Sequence, residues 1–381
     1  MSCSPLAGVT VLELGSSIAG PYACRILASF GAEVLKVEEP GSGDPARGWG
    51  RGRLGGTGVA YQACNRDKRS VTVDFSDPEE LARLQRLIAE RADVVLQNLR
   101  PGVVERFGLD AATSVAANKQ LIYCNLSAFG PDGPLSGRPG YDPLIQAYGG
   151  ITDATGEPGR DPVRVGVPVI DFGTGMWAAI GILAALQERQ RTGAGCVVDA
   201  VMFETALAWQ TLSSAIRETG DEPPRRTGLS GPIIVPNTGY DTADGKLLVT
   251  VGTERQFARF CDAIGLPDLP QDPRFASNED RVANAEAFNA VLTEQLRTQP
   301  RDYWTDRLDA VDVPCAPILE LKEALVHPQT AVTGILQPSP DGEFRITGLP
   351  LRFDGERPAF RRAAPALGEA TQAAFAFMDG G

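Results

Sequence analysis

The amino-acid sequence predicts an α/β fold with a mostly parallel sheet covered on both faces, followed by a smaller α+β domain. Two observations lead to this prediction. Over the first half of the chain, short apolar segments rich in β-branched residues alternate with segments of helical periodicity, which is the pattern of βαβ units. After residue 220 the chain becomes polar and rich in proline, which indicates a change of domain.

The first βαβ unit is expected near the start of the chain. The segment GVTVLEL predicts a buried strand, and PYACRILASFG predicts a helix with Pro21 in its first turn and Gly31 at its end. The next apolar segment, EVLKVE, predicts a second strand. Because a helix joins them, the two strands are expected to be parallel.

The same alternation continues beyond this unit. Strands are expected in SVTVDF, DVVLQN and LIYCNLSAF, and a helix in SDPEELARLQRLIAERA, which Ser76 and Glu79 would open as a capping pair. The segment VGVPVID is strand-like, and a long helix is expected from about Thr174 to Arg191, ended by Gly193. A strand in CVVDAVM and a helix in FETALAWQTLSSAIRETG then follow.

A domain boundary is expected near Asp221, in the polar and proline-rich segment DEPPRR. The following NTGYDTADGKLLVTVG predicts a hairpin that turns at Asp244 and Gly245, and the late segment FRITGLPLRF is expected to return to the first domain. We therefore assign residues 1–220 and 335–381 to a large domain and residues 228–329 to a small domain. Residues 221–227 and 330–334 are expected to be the linkers between them.

Charge and composition argue against several classes of function. The chain has 36 Lys and Arg against 48 Asp and Glu, a net charge of −12, so its mean field disfavours nucleic acid and anionic membranes as partners. We find no apolar run of the length of about 20 residues that crosses a bilayer, and the start, MSCSPLAGVTVLEL, does not resemble a signal peptide. These observations predict a cytoplasmic protein.

The cysteines and the histidine argue against a metal centre. The seven cysteines are scattered without a CxxC pair, and His327 is the only histidine. A zinc site, a multi-histidine site and a disulfide framework are therefore not expected.

Two glycine-containing segments are candidates for binding a phosphate. Residues 15–21 could present backbone N–H groups at a helix N-terminus, although they match neither the Walker A loop nor the dinucleotide spacing, and a purely structural turn is the alternative. Residues 41–58 form a glycine-rich loop that holds Arg47, Arg51 and Arg53, and guanidinium groups suit an anionic ligand. A solvated surface loop is the alternative there.

Asp171 is the candidate nucleophile. It ends the strand-like VGVPVID and precedes the long apolar helix, so we expect its carboxylate at the carboxyl end of a strand, where open α/β sheets bind ligands. Neighbouring Val, Ile and Phe side chains would partly remove water from it, and Gly173 and Gly175 leave room for a substrate. The alternative is that Asp171 caps the helix.

Taken together, these segments resemble the class III CoA-transferase family, also called the CaiB/BaiF type. The resemblance extends over nearly the whole chain and is carried by GSSIAGPYACRILASFGAEVLKVEEPGSGDPAR, NRDKRSVTVDF, VVLQNLRPGVVERFGL, GRPGYDPLIQAYGG and VGVPVIDFGTGMWAAIGILAAL, in this order. It implies a Rossmann-like large domain, a small domain inserted before the C-terminal return, and a homodimer of interlocked chains. It also implies a coenzyme A thioester as substrate and no permanently bound cofactor.

The resemblance assigns roles to individual residues. The nucleophile of the family falls on Asp171 and a supporting carboxylate on Asp142. Positions that contact CoA fall on Ser16, Ile18, Ala19, Arg47, Asn98, Arg106 and Met202. The α-methylacyl-CoA racemases of the family have a histidine where this chain has Tyr141, which we count among the substrate-binding positions. Because racemisation needs that base, its absence favours transfer.

The implied reaction is transfer of CoA from an acyl-CoA donor to a carboxylic acid acceptor. Asp171 would attack the thioester and form an acyl anhydride, then an aspartyl-CoA thioester. The segments GRPGYD and LGEAT resemble family members that act on dicarboxylates. Two other functions stay open: racemisation or isomerisation of an acyl-CoA, and binding of CoA without catalysis.

Overall fold

The computed structural model describes residues 4–231 and 233–376, and the chain divides into two compact units. The first contains Met1–Ile151, Val165–Thr211 and Pro328–Gly381, and the second contains Thr152–Arg164 and Leu212–His327. The second unit thus begins before residue 221 and includes a segment, residues 152–164, that the sequence pattern did not indicate. The domain assignment made from the sequence stays a prediction.

The elements of the described residues follow the chain order. The strands are β1 (Thr10–Leu14), β2 (Glu33–Glu38), β3 (Arg53–Leu54), β4 (Thr57–Gly58), β5 (Arg69–Thr72), β6 (Val94–Gln97), β7 (Ile122–Ser127), β8 (Val197–Val201), β9 (Asn237–Asp241), β10 (Lys246–Thr250), β11 (Cys315–Pro317), β12 (Leu336–Pro338) and β13 (Arg345–Thr347). The helices are α1 (Ala19–Ser29), α2 (Val59–Asn65), α3 (Pro78–Arg91), α4 (Val103–Arg106), α5 (Ala111–Ala117), α6 (Asp142–Tyr148), α7 (Ile151–Ala154), α8 (Val169–Thr192), α9 (Met202–Trp209), α10 (Thr211–Glu218), α11 (Glu254–Ala263), α12 (Asn278–Ala283), α13 (Ala285–Leu296), α14 (Arg301–Asp309), α15 (Leu321–Val326), α16 (Pro328–Thr333) and α17 (Thr371–Phe375).

A six-stranded parallel sheet, in the order β5-β2-β1-β6-β7-β8, forms the centre of the first unit. Leu12 of β1 lies opposite Leu35 of β2 on one side and Val95 of β6 on the other. The inner strands are apolar almost throughout because both of their faces are covered. The predicted α/β fold with a parallel sheet is confirmed.

Helices cover the two faces of this sheet. On one face α1 and α8 share an apolar core with β1, β6 and β7, and on the other α3 and the C-terminal α17 share a second core. The helices α1 and α8 cross closely, because a Cβ atom at Gly175 would lie 2.7 Å from the carbonyl oxygen of Ala19. Glycine is therefore required at this crossing.

Helix α8 is long and apolar enough to cross a membrane by length and composition, contrary to the expectation from the sequence. Half of its most apolar stretch is buried within the protein, however, and a core helix of this kind passes the same test. The feature is therefore weak evidence for a membrane span.

Two helix starts differ from the predicted ones. Helix α8 begins at Val169, so VGVPVID is not a strand of the sheet, and the expectation that Asp171 ends a strand is wrong. Pro168 stands immediately before the helix and fixes its own φ in a helix-compatible range. Helix α3 is capped by Asp77, whose side chain accepts the N–H groups of Glu79 and Glu80, and not by Ser76.

The end of the chain and the second unit complete the fold. The late segment around Arg345–Thr347 lies in the first unit, and there it pairs with β12 in a two-stranded ribbon. In the second unit β9, β10 and β11 form an antiparallel sheet, and the predicted hairpin turn at Asp244 and Gly245 is confirmed by the contact from Thr242 N–H to Gly245 O. Helices α11, α13 and α14 pack on this sheet around an aromatic core.

Candidate active site

The strand order of the sheet reverses between β1 and β6, and open α/β sheets bind ligands at the carboxyl ends of their strands at such a point. A cavity of about 460 Å³ lies there. Its lining includes Gly15 and Ser16 after β1, Glu38 and Asp44 at and after β2, and Leu99 and Phe107 after β6. The position and size suit a small-molecule ligand.

The turn between β1 and α1 borders this cavity. Asn98 binds both sides of Ser16, since its Oδ1 accepts the Ser16 N–H at 2.8 Å and its Nδ2 donates to the Ser16 carbonyl at 2.9 Å. The N–H of Ser17 donates to Asp44 Oδ1 at 3.1 Å. The N–H groups of Ser16 and Ser17 therefore already have partners within the protein. Of the predicted phosphate-binding N–H groups, those at the start of α1 are left as candidates. Ile18 is the N-cap residue of α1, and its apolar side chain accepts no hydrogen bond from these N–H groups.

Ser17 has a left-handed backbone conformation, with φ at 71°. For a residue other than glycine this conformation costs about 1–3 kcal/mol and persists where the surrounding structure enforces it. The hydrogen bond from Ser17 to Asp44 supplies that constraint.

The glycine-rich loop of residues 41–58 is held by Arg47. Its Nε and Nη2 donate to the Glu38 carboxylate at 2.9 and 2.7 Å, its Nη1 donates to the Pro365 carbonyl at 3.1 Å, and it lies 3.9 Å from the centre of the Tyr61 ring. Burial would raise the pKa of Glu38, but Arg47 and Lys36 outweigh it and lower that pKa to about 2. Arg47 is thus fully engaged inside the protein, and its contact with CoA stays a prediction.

Asp171 lies in the first turn of α8, and Asp142 caps that helix. Asp142 Oδ2 accepts the N–H groups of Ile170 and Asp171 at 2.7 and 3.1 Å. Its Oδ1 accepts from Gln146 Nε2 at 2.5 Å, and Gln146 Oε1 in turn accepts the N–H of Val165 at 2.8 Å. Asp142 therefore caps the N-terminus of α8, although it lies on another segment of the chain. Asp171 is not the cap.

The Asp171 carboxylate is half-buried. Within the part of the chain that the structure describes, it has no ion-pair or hydrogen-bond partner. Burial, and after it the negative charge of Asp142, raise the pKa of Asp171 to about 7. A carboxylate that is partly desolvated and unpaired is available for nucleophilic attack.

The first turns of α1 and α8 bring the two groups of predicted residues towards each other. The Tyr22 ring of α1 packs on the Phe172 ring of α8 with centres 4.7 Å apart, so Asp171 neighbours the helix that begins at the cavity. Tyr141, directly before Asp142, is 59% exposed, as a residue that contacts a substrate would be.

The other predicted site residues lie near the cavity or near Asp171. Ala19 opens α1, and Met202 is buried at the start of α9. Arg106 ends α4 with its guanidinium 5.1 Å from the centre of the Phe107 ring, and Phe107 lines the cavity. The structure therefore groups Ser16, Asn98 and Arg106 near the cavity, and Tyr141 and Asp142 near Asp171.

Sequence reasoning missed two residues of this site. Asp44 holds Ser17 and caps the short 3₁₀ helix Pro45–Gly48, and an aspartate before proline in GSGDPAR is a recognisable capping signal. Gln146 orients Asp142, and its spacing of four residues on a helix was the available signal.

Comparison with known proteins agrees with this geometry. The model of CoA-transferase family III matches residues 6–371. The acetyl-CoA:oxalate CoA-transferase of Acetobacter aceti is 35% identical over 367 residues, covering 96% of this chain and 93% of the relative. The human succinyl-CoA:glutarate CoA-transferase is 32% identical over 370 residues, covering 96% and 84%.

A solved structure gives the same result. The crystal structure of a CaiB/BaiF family protein from Brucella suis is 36% identical, with a TM-score of 0.89, and the match covers 99% of this chain and 100% of that one.

Proposed function

Since the chain belongs to CoA-transferase family III and is a CoA-transferase, we propose that it moves CoA from an acyl-CoA to a carboxylic acid through Asp171. One observation carries the assignment of the nucleophile. Asp171 is a half-buried carboxylate without a partner among the described residues, and its pKa is raised to about 7. A structural carboxylate at this depth would be paired, because an unpaired buried charge is costly.

The proposed reaction needs no proton transfer. A carboxylate oxygen of Asp171 attacks the thioester carbonyl, the carbon–sulfur bond breaks, and CoA leaves as a thiolate from a mixed acyl anhydride. The thiolate attacks the aspartyl carbonyl, which releases the donor acid and leaves an aspartyl-CoA thioester. The acceptor carboxylate then attacks this thioester, and the thiolate released attacks the acceptor carbonyl of the new anhydride. Acyl-CoA product forms and Asp171 is regenerated.

Two groups of residues support these steps. Asp142 fixes the start of α8 and hence the position of Asp171, which favours a constant angle of attack. Backbone N–H groups at the start of a helix such as α1 suit either an oxyanion or a phosphate of CoA. We propose that Tyr141 contacts the substrate and that the CoA-binding positions are Ser16, Ile18, Ala19, Arg47, Asn98, Arg106 and Met202.

We further propose that the acceptor is a dicarboxylate. Relatives at 32–36% identity bear names with oxalate, D-citramalate or glutarate as acid, which supports this class. A second carboxylate requires a cation to bind it. Arg138 is a candidate, because it is exposed on the segment before Tyr141 and donates to the Tyr148 hydroxyl at 3.2 Å.

An exposed apolar surface supports a homodimer. Several apolar side chains of three helices that pack on one another are each more than 40% exposed. They are Tyr141 directly before α6, Leu144 and Tyr148 of α6, Met176, Trp177 and Ile180 of α8, and Leu207 and Trp209 of α9. Many large apolar side chains exposed on neighbouring helices are typical of a protein interface. We propose that it joins two copies of this chain, and sedimentation equilibrium measures the mass.

We propose a cytoplasmic location and no permanently bound cofactor. The thiols of Cys24, Cys64, Cys124 and Cys261 are buried and free, which suits a reducing compartment. The chemistry above uses only the carboxylate and the CoA thiolate.

To test this function, the protein is incubated with succinyl-CoA or acetyl-CoA as donor and with each of a panel of mono- and dicarboxylic acids as acceptor. Mass spectrometry of the thioesters should show a new acyl-CoA that depends on both donor and acceptor. Exchange of the α-hydrogen in deuterated water without an acceptor would instead identify a racemase or isomerase. Stabilisation by CoA without turnover would identify a binding protein.

A further inference from the structure

Four charged side chains form a closed cluster beneath the β1–α1 turn. Lys36 Nζ lies 2.9 Å from Glu13 Oε1 and 2.9 Å from Asp44 Oδ2, and Lys68 Nζ lies 2.6 Å from Glu13 Oε2. All four side chains are buried, and their charges sum to zero. We call these residues the Lys36 cluster.

The two lysines of the cluster have the same carboxylate partner but different further contacts. Lys36 donates to the Gly15 carbonyl at 2.7 Å, at the start of the turn. Lys68 donates to the Pro21 carbonyl and to Asn65 Oδ1, both at 2.8 Å. Only Lys36 therefore joins the turn to the glycine-rich loop through Asp44.

Asp44 uses its other oxygen to hold the turn. Oδ1 accepts the N–H of Ser17 at 3.1 Å and that of Ala46 at 2.9 Å, while Oδ2 faces Lys36. Ser17 is the residue with the left-handed backbone, a conformation that non-glycine residues keep only under constraint. A chain of contacts thus leads from Lys36 through Asp44 to Ser17, and Ser17 lies between Ser16, which lines the cavity, and the start of α1.

Building on the proposed function, we propose that Lys36 is a positioning residue for CoA: through Asp44 it holds Ser17 left-handed, and it thereby fixes the neighbouring Ser16, which lines the cavity, and the start of α1. Lys36 does not contact the ligand in this arrangement. Its removal should weaken binding of CoA and leave the chemical step at Asp171 unchanged.

The main variant is Lys36→Met, which keeps length but removes the charge. The expected result is a dissociation constant for CoA, measured by titration calorimetry, about tenfold or more above that of the unaltered protein. With saturating acyl-CoA, kcat should stay within about threefold, since binding and not transition-state stabilisation is affected.

Lys68→Met is the matched control. It removes an equally buried partner of Glu13 but touches neither Gly15 nor Asp44. Its melting temperature should fall as far as that of Lys36→Met, and its affinity for CoA should be unchanged.

A second substitution tests the route through Ser17. Glycine adopts a positive φ without support, so Ser17→Gly should restore most of the CoA affinity lost in Lys36→Met. If Lys36→Met does not fold, Asp44→Ala takes its place, because it removes the same constraint on Ser17, and Ser17→Gly should restore its CoA affinity likewise.

The outcomes separate this inference from the proposed function. If the unaltered protein does not bind CoA, the proposed function is wrong. If it binds CoA but Lys36→Met and Lys68→Met weaken binding equally, or if Ser17→Gly restores nothing, the positioning role of Lys36 is overturned and the cluster serves stability alone.

Discussion

The carboxylate of Asp142 accepts the backbone N–H of Asp171, 29 residues further along the chain, at 3.1 Å. One acidic residue thereby fixes the backbone of the other and, by its charge, adds to the effect of burial in raising the pKa of Asp171. Position and reactivity of the proposed nucleophile thus depend on the same neighbour.

Asp171→Asn should abolish transfer while the protein still binds CoA. The amide keeps the shape of the side chain but is a far poorer nucleophile, so we expect turnover to fall by about a thousandfold or more. Assays with succinyl-CoA and the best acceptor measure the loss, and Asp199→Asn, an exposed aspartate on β8, is the control. Turnover near that of the unaltered protein would exclude Asp171 as nucleophile.

Thermal melting of the same variant gives a second readout. The folded pKa of Asp171 is about 7, above its ordinary value of 3.8, so its contribution to stability is complete below the lower value and is lost as pH rises through the higher one. Asp171→Asn has no such loss. The free energy of unfolding of Asp171→Asn, minus that of the unaltered protein, should therefore increase as the pH rises from about 4 to about 7.

The pH dependence of kcat/KM should show the Asp171 carboxylate directly. Below about pH 7 the carboxyl is protonated, and kcat/KM should fall about tenfold per pH unit. Asp142→Asn keeps an oxygen acceptor for the Asp171 N–H but removes the charge. In this variant the midpoint of the pH profile of kcat/KM should therefore move to lower pH. It should stay above the ordinary pKa of an aspartate because Asp171 is still buried. An unmoved midpoint would contradict the assigned cause.

A covalent intermediate should be trappable on Asp171. Donor acyl-CoA without acceptor should leave its carboxyl as anhydride or CoA thioester, and hydroxylamine should convert this to a hydroxamate. Peptide mapping locates the modification, and added acceptor acid should compete with it.

Deuterium exchange completes the trapping experiment. Because transfer breaks no bond to the α-carbon, a branched acyl-CoA should take up no deuterium there. Unmodified Asp171 together with uptake of deuterium would identify an isomerase with another base.

Arg47→Met should loosen the glycine-rich loop. We expect faster proteolysis within residues 41–58 and weaker CoA binding, because the guanidinium holds this loop through Glu38 and Pro365. The loss of affinity should depend little on salt, since Glu38 balances the charge of Arg47. Arg53→Met is the control, because Arg53 is exposed and, among residues 4–231 and 233–376, hydrogen-bonds only to the carbonyls of Gly50 and Gly52. A strong dependence on salt would instead favour direct contact with a phosphate.

The sequence predicted the sheet better than the site. Strands such as Thr10–Leu14 and Val94–Gln97 were found because strands buried on both faces are apolar almost throughout. The start of α8 was misplaced because its cap, Asp142, lies on another segment, where local patterns carry no signal. The sequence pattern pointed to Asp171 and the resemblance to a family added Asp142, but the pairing of Ser17 with Asp44 needed the fold.

The glycine-rich loop has a consequence for synthesis of the protein. Arg47 binds the carbonyl of Pro365, 318 residues later, Asp67 binds the N–H of Arg361, and Ser70 binds that of Gly368. A ribosome translates Pro365 after the whole parallel sheet, so the loop beside the CoA cavity lacks this anchor when the sheet has already emerged. A chain interrupted before Arg361 would contain Asp171 and the whole parallel sheet, yet its CoA site would be unfinished. Capture on a CoA resin should therefore separate finished chains from interrupted ones.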